Sequence, residues 1–228
     1  MRSRLLAVFA VAVAALSAPA TASAAGNATV VNAAGESAYT TFISRSGEGN
    51  CIETTVGIVA AHESTQQPPG KPVLVTPVFI RLAQFDTCTG TQLRELTGFD
   101  RLEKDGFQVS SRLRTANLTT TNFILHDPRL PPEENQTDIA VNVDVTWSGT
   151  GPIGENRGTT QNYELGPDCR LTLQGTGLFR DAPALGSVSE GGTNFTPGPS
   201  VPDDGEGEGE SQIGSFRSAI LNIGAGCL

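Results

Sequence analysis

Lysine is nearly missing from this chain: across 228 residues only Lys71 and Lys104 carry an ε-ammonium. Lys and Arg together number 15 against 24 acids, a formal net charge of −9. Phosphate neutralisation needs a positive patch, so this balance excludes nucleic acid and anionic membranes as partners. Aromatics are scarce as well. Trp147 is the only tryptophan, and Tyr39 and Tyr163 are the only tyrosines, which argues against a flat aromatic strip for stacking sugar rings. Past the N-terminus no apolar run reaches the ~18 residues that mark a membrane-spanning helix, so no transmembrane anchor is expected. The end of the chain lacks a polar spacer followed by an apolar tail, so no lipid-anchor signal is expected there either.

Familiar catalytic patterns are missing too. There is no Gly-x-Ser-x-Gly, no His-Glu-x-x-His, no Gly-x-x-x-x-Gly-Lys and no Gly-x-Gly-x-x-Gly at a strand–helix turn. Convincing helical periodicity is confined to the first residues. No resemblance to a known family follows from these residues, and no catalytic, cofactor-binding or metal-ligating residue is assigned from them.

What is present begins at the N-terminus. Arg2 and Arg4 precede an unbroken apolar run over 5–16, and Ala22-Ser23-Ala24 fits a signal-peptidase site before Ala25. These features predict a secretory signal peptide over 1–24, too short to anchor in a bilayer. No arginine pair precedes the apolar run, so general secretion is expected over the twin-arginine route. The mature chain, 25–228, is then a single domain, secreted or loosely held at the cell surface. Loss of Arg2 and Arg4 leaves 13 cations against 24 acids, a mature net charge near −11.

Four cysteines, Cys51, Cys88, Cys169 and Cys227, all lie after the signal. An even count in an exported chain points to disulfides, and three connectivities are open. Turn positions rank them. The midpoint of 51 and 88 falls on Pro68-Pro69-Gly70, flanked by strand-like runs at 52–60 and 73–86. The midpoint of 169 and 227 falls within Thr196-Pro197-Gly198-Pro199-Ser200, flanked by 170–180 and 213–223. Pairs 51–88 and 169–227 are therefore expected, each closing the open end of a hairpin. Zinc is disfavoured because no two cysteines lie within four residues of one another.

Period-2 alternation recurs along the chain. Over 138–147, Ile139, Val141, Val143, Val145 and Trp147 share one face and polar residues the other, a half-buried strand. Further strands are expected at 73–86, apolar on both faces and so central, with Pro77 marking a bulge or edge segment, and at 107–114, 118–125, 159–165 and 170–179. Weaker candidates cover 39–44 and 93–99. Breaker clusters at 104–106, 126–132, 149–158 and 166–168 separate them. About nine short strands with frequent turns predict an all-β, antiparallel, disulfide-stapled β-sandwich of Greek-key or meander type. Residues 197–211 combine Pro, Gly and clustered acids, and read as a flexible acidic loop offering carboxylates for weak Ca²⁺ binding.

The chemistry on offer is thin. His62-Glu63 and His126-Asp127 each place an imidazole beside an acid where a strand is expected to give way to a loop. Neighbouring residues of an extended chain point to opposite faces, so neither acid orients its own histidine. Asp138 and Asp144 share a face but sit roughly 20 Å apart, too far for a glycosidase pair. Sequons begin at Asn27, Asn117, Asn135 and Asn194 and matter only in a glycosylating host. The functional expectation is a non-enzymatic extracellular protein with a binding or structural role and an unknown ligand or surface. The alternative is an extracellular hydrolase with its site near His62 or His126.

Overall fold

The computed structural model describes residues 29–66, 70–130, 138–166, 169–201 and 211–223. Thirteen strands run β1 (Thr29–Ser46), β2 (Ile52–Gln66), β3 (Val73–Val75), β4 (Pro77–Asp86), β5 (Thr91–Arg101), β6 (Phe107–Val109), β7 (Thr115–Leu125), β8 (Ile139–Ser148), β9 (Gly154–Gly166), β10 (Cys169–Asp181), β11 (Ala184–Glu190), β12 (Thr193–Asn194) and β13 (Gln212–Ile223). They form an eight-stranded sheet ordered β5-β4-β2-β1-β13-β10-β9, with β3 also on β2, and a five-stranded sheet ordered β12-β11-β8-β7-β6. The ladders are antiparallel. The molecule is thus an all-β sandwich with a disulfide staple.

Burial follows side-chain parity. Along β8 buried and exposed residues alternate without a break, because its inner face meets the larger sheet and its outer face meets water. Ala38 and Phe42 of β1, Val56, Ile58 and Ala60 of β2, and Val78, Ile80 and Leu82 of β4 supply the opposing half of the core. Trp147 is fully buried, edge-on to Phe107 at 6.4 Å, and its indole N–H donates to the Tyr39 carbonyl at 3.0 Å. A buried indole needs that partner, and here the bond ties β8 to β1 across the sandwich.

The strand ladders flanking both turns appear in the register. Strand β2 pairs with β4 from Ile52 opposite Asp86 to Ala60 opposite Val78. Cys51 and Cys88 lie just beyond that end and are bonded, with Cα atoms 5.3 Å apart. Strand β10 pairs with β13 from Arg170 opposite Ile223 to Arg180 opposite Ile213. The chain between them is more than a turn, since it supplies β11 and β12 to the smaller sheet before returning. Cys227 and the side chain of Cys169 lie outside the described residues, as does 202–210 of the acidic loop. The ends of that loop are placed: the Ser200 hydroxyl accepts from the Ala184 N–H, and the Ser211 hydroxyl donates to the Ala182 carbonyl.

Several boundaries differ from the sequence expectation. The run 107–114 is not one strand. It stops at Val109 and turns through Ser111–Leu113, with Arg112 and Leu113 at positive φ of 61° and 52°. Ser110 holds this turn by accepting the Thr115 N–H on its hydroxyl, and Leu113 is buried at its apex. The segment 149–158 is not wholly a breaker, because β9 starts at Gly154. Pro77 opens a central strand rather than an edge, with Thr76 separating β3 from β4. At one side the sheets meet directly, where Thr97 and His126 exchange backbone hydrogen bonds at 2.8 and 2.9 Å. Gly98 makes this crossing possible: a Cβ there would overlap the Ile124 carbonyl and the rings and methyls of Phe123 and Leu125.

The two sheets are unequal in reach. The buried cluster takes residues of β1 only from Ala38 onward, of β2 only up to Ala60, and of β13 only Ile213. Among the described side chains, β10 and β9 contribute none. The larger sheet therefore continues past the core, and its inner face there is free of the smaller sheet.

Candidate functional site

Three cross-strand rows occupy this uncovered inner face. The first sets His62 opposite Glu36 and Glu36 opposite Ser215. The next runs Ser64, Ala34, Arg217 and Thr176 across β2, β1, β13 and β10. The outermost runs Gln66, Asn32, Ala219 and Gln174. Parity places the described side chains of these rows on the same face as Ala38, Phe42 and Ala60, beyond the point where packing ends. Polar residues are tolerated there because water reaches them.

An open cavity of about 490 Å³ lies over the outer two rows, lined by Asn32, Ser64, Gln66, Gln174, Thr176 and Arg217. Its size falls within the ~300–1,000 Å³ typical of small-molecule sites. Ala33, Ala34, Pro72, Gly175 and Ser218 complete the lining with small or flat groups. Arg217 is exposed, and no described carboxylate lies within ion-pairing distance of it; the described pairs are Arg45–Glu53, Arg81–Glu95 and Arg129–Asp127.

The histidines stand apart from each other in role. His62 is not at a strand–loop junction as expected but inside β2, with Nδ1 hydrogen-bonded to the Thr76 hydroxyl at 3.1 Å. His126 does end a strand, held by its backbone to Thr97. Its neighbour Asp127 is committed elsewhere: it accepts the Arg129 backbone N–H at 2.9 Å and the guanidinium at 2.9 and 2.6 Å. Those bonds hold its carboxyl down to about 2. Among the described residues neither histidine is paired with a carboxylate.

Glu63 is the unexpected residue. It is 1% exposed, and neither carboxylate oxygen has a hydrogen-bond partner among the described residues. Burial pushes its carboxyl up to about 7, since desolvation disfavours the charged form. It lies on the opposite face of β2 from His62, between Gly35 of β1 and Val75 of β3. Glycine is required at 35, where a Cβ would overlap the His62 carbonyl and come within 2.7 Å of the Glu63 Cα. The sequence carried one signal for this burial: Glu63 continues the parity of Val59 and Ala61.

Cys51, Cys88 and Asp86 place ligand-type atoms within 4.8 Å of one another. The two sulfurs are bonded together, so they offer no thiolates, and Asp86 accepts the N–H groups of Cys88 and Thr89. On β8, Asp144 stays on a wet face beside Asn142, whose carbonyl accepts the Asn122 N–H. Asn117 and Asn194 are exposed, while Asn27 and Asn135 lie outside the described residues.

The fold and site define an all-β sandwich whose longer sheet carries a polar cavity beyond the core. No protein-family model matches the chain, and no curated protein matches it. Among solved structures, a crystal structure provisionally labelled AttH from Nitrosomonas europaea aligns at 10% identity with a TM-score of 0.22. That alignment covers 87% of this chain and 52% of the other, so this chain spans about half of that protein. A likeness at that score carries no argument about fold or function. Among the described residues no helix is long and apolar enough to cross a membrane.

Proposed function

We propose that the chain is an exported, non-enzymatic binding protein whose ligand surface is the polar cavity on the overhanging sheet. One observation carries this reading: four strands bring exposed and half-buried amides, hydroxyls and a guanidinium to one open cavity that the described residues of the smaller sheet do not cover. Export is supported by the N-terminal pattern of charge, apolar run and small residues, and by the Cys51–Cys88 bond, which suits an oxidising compartment. Filling the cavity tests the site. Ala34→Trp should reduce retention on immobilised extracellular polysaccharides and peptides by about tenfold or more, near 1.4 kcal/mol, without lowering the unfolding midpoint. Equal retention of wild type and variant would place the binding surface elsewhere.

A hydrolase centred on His62 is the second reading. It is favoured by the shared face of His62, Glu36 and, one row out, Ser64. Replacing both His62 and His126 by Gln decides between them. Loss of a general base lowers catalysis by about 10² or more, whereas binding in the outer rows should persist. Hydrolysis of esters, peptides or glycans that vanishes in the folded double variant would establish the enzyme.

A further inference from the structure

We infer that the cavity takes a sugar acid: a short saccharide carrying a single carboxylate, held by Arg217. The inference rests on the binding reading above and names the ligand class. Among the described lining residues Arg217 is the one cation, it is exposed, and no described carboxylate pairs with it. A guanidinium presents two parallel N–H groups that match a carboxylate, which makes it the natural anchor for such a group. Flanking it in the register are Thr176 and, one row out, Gln174 and Asn32, with Ser64 and Gln66 on β2. Amides and hydroxyls both donate and accept, as a hydroxyl-rich ring requires. The short Ala34 side chain between Ser64 and Arg217 lets the C–H face of a ring approach the sheet.

Charge and composition narrow the class further. Among the described residues no tryptophan, tyrosine or phenylalanine lines the cavity, so a neutral sugar would lack the stacking that commonly holds it. The carboxylate must then supply the anchoring. The whole chain is acidic, with a formal charge of −9, so a polyuronate would be repelled. A single carboxylate is not, because screening confines repulsion to about 8 Å at physiological salt. Glu36, one row inward, faces the same side and sets the inner limit for a negatively charged ligand.

Cellobiouronate and cellobiose make the test, since they differ only in a carboxylate replacing one hydroxymethyl group. Calorimetric titration of the full secreted chain should give about ten- to a hundredfold tighter binding of the acid, the range of a charge-assisted hydrogen bond. Arg217→Met should bring the acid down to the level of cellobiose. Arg217→Lys should fall between, having charge without the planar fork. Arg217 is exposed, so both variants should keep the wild-type unfolding midpoint. Equal binding of the two sugars, or acid binding unchanged in Arg217→Met, would overturn the acid specificity while leaving the cavity as a site. Failure of both sugars to bind the folded protein would overturn the sugar-acid assignment, and the Ala34→Trp comparison would then judge the cavity by itself.

Discussion

Glu63 sets the pH response of this fold. Its carboxyl is buried with no hydrogen-bond partner among the described residues, and burial pushes it up to about 7 from the 4.5 of an unfolded chain. Between those values the folded state holds a proton that the unfolded chain has released, so stability falls as pH rises through the window. The full shift corresponds to a loss on the order of 3 kcal/mol by pH 7 and above. Urea unfolding from pH 4.5 to 8 should show that slope in wild type and lose it in Glu63→Gln. Parallel profiles would mean that Glu63 finds a partner in solution. Asp127 acts with the opposite sign: its carboxyl is lowered to about 2, so its contribution is present above 3.8 and fades as pH falls toward 2. Neither behaviour could be read from the chain. Both acids stand next to a histidine in sequence, yet one is sealed between glycine and valine and the other is clasped by an arginine two residues on.

At the scale of elements, the long strands matter most. Strand β1 spans 18 residues, although only 39–44 alternates clearly enough to be read as a strand. Its first half, with Ala33, Ala34 and Gly35, has little β propensity and is held in place by pairing on both sides, to β2 and β13. That half carries the cavity. The β2–β4 ladder, by contrast, was legible from its turn, and the disulfide closes it across a separation of 37 residues. Chain-entropy estimates for such a loop give about 4 kcal/mol, and measured values run about 2–4. Replacing both Cys51 and Cys88 by Ala should therefore lower stability by about 2–4 kcal/mol in denaturant titration, with the cavity ligand still bound. A change below about 0.5 kcal/mol would show that the ladder and the bonds from Asp86 to Cys88 and Thr89 suffice.

At the scale of the whole molecule, charge and compartment dominate. An acidic chain with two lysines is the ground for expecting no phosphate-bearing partner. The N-terminal pattern predicts where it works. Expressed with its native N-terminus in an exporting host, the protein should appear in the medium or loosely on the cell surface, beginning at Ala25. Retention inside the cell with Met1 intact would remove the extracellular reading and, with it, the setting for the disulfide.

The sequence by itself determined the fold class, the Cys51–Cys88 pairing and the inner face of β8. Each rests on local information: parity along a strand, a Pro-Pro-Gly turn midway between two cysteines, and an even count of them. The tertiary structure decided which strands outrun the smaller sheet. A cavity made of residues near 32, 64, 174 and 217 depends on four strands being neighbours, and no local pattern encodes that adjacency. It also decided the burial of Glu63 and the placement of His62 within a strand, because both follow from what packs beside β2 and not from β2 itself. Nothing in the sequence singled out Arg217. It became a candidate anchor only when its row across the sheet held no described carboxylate to pair with it.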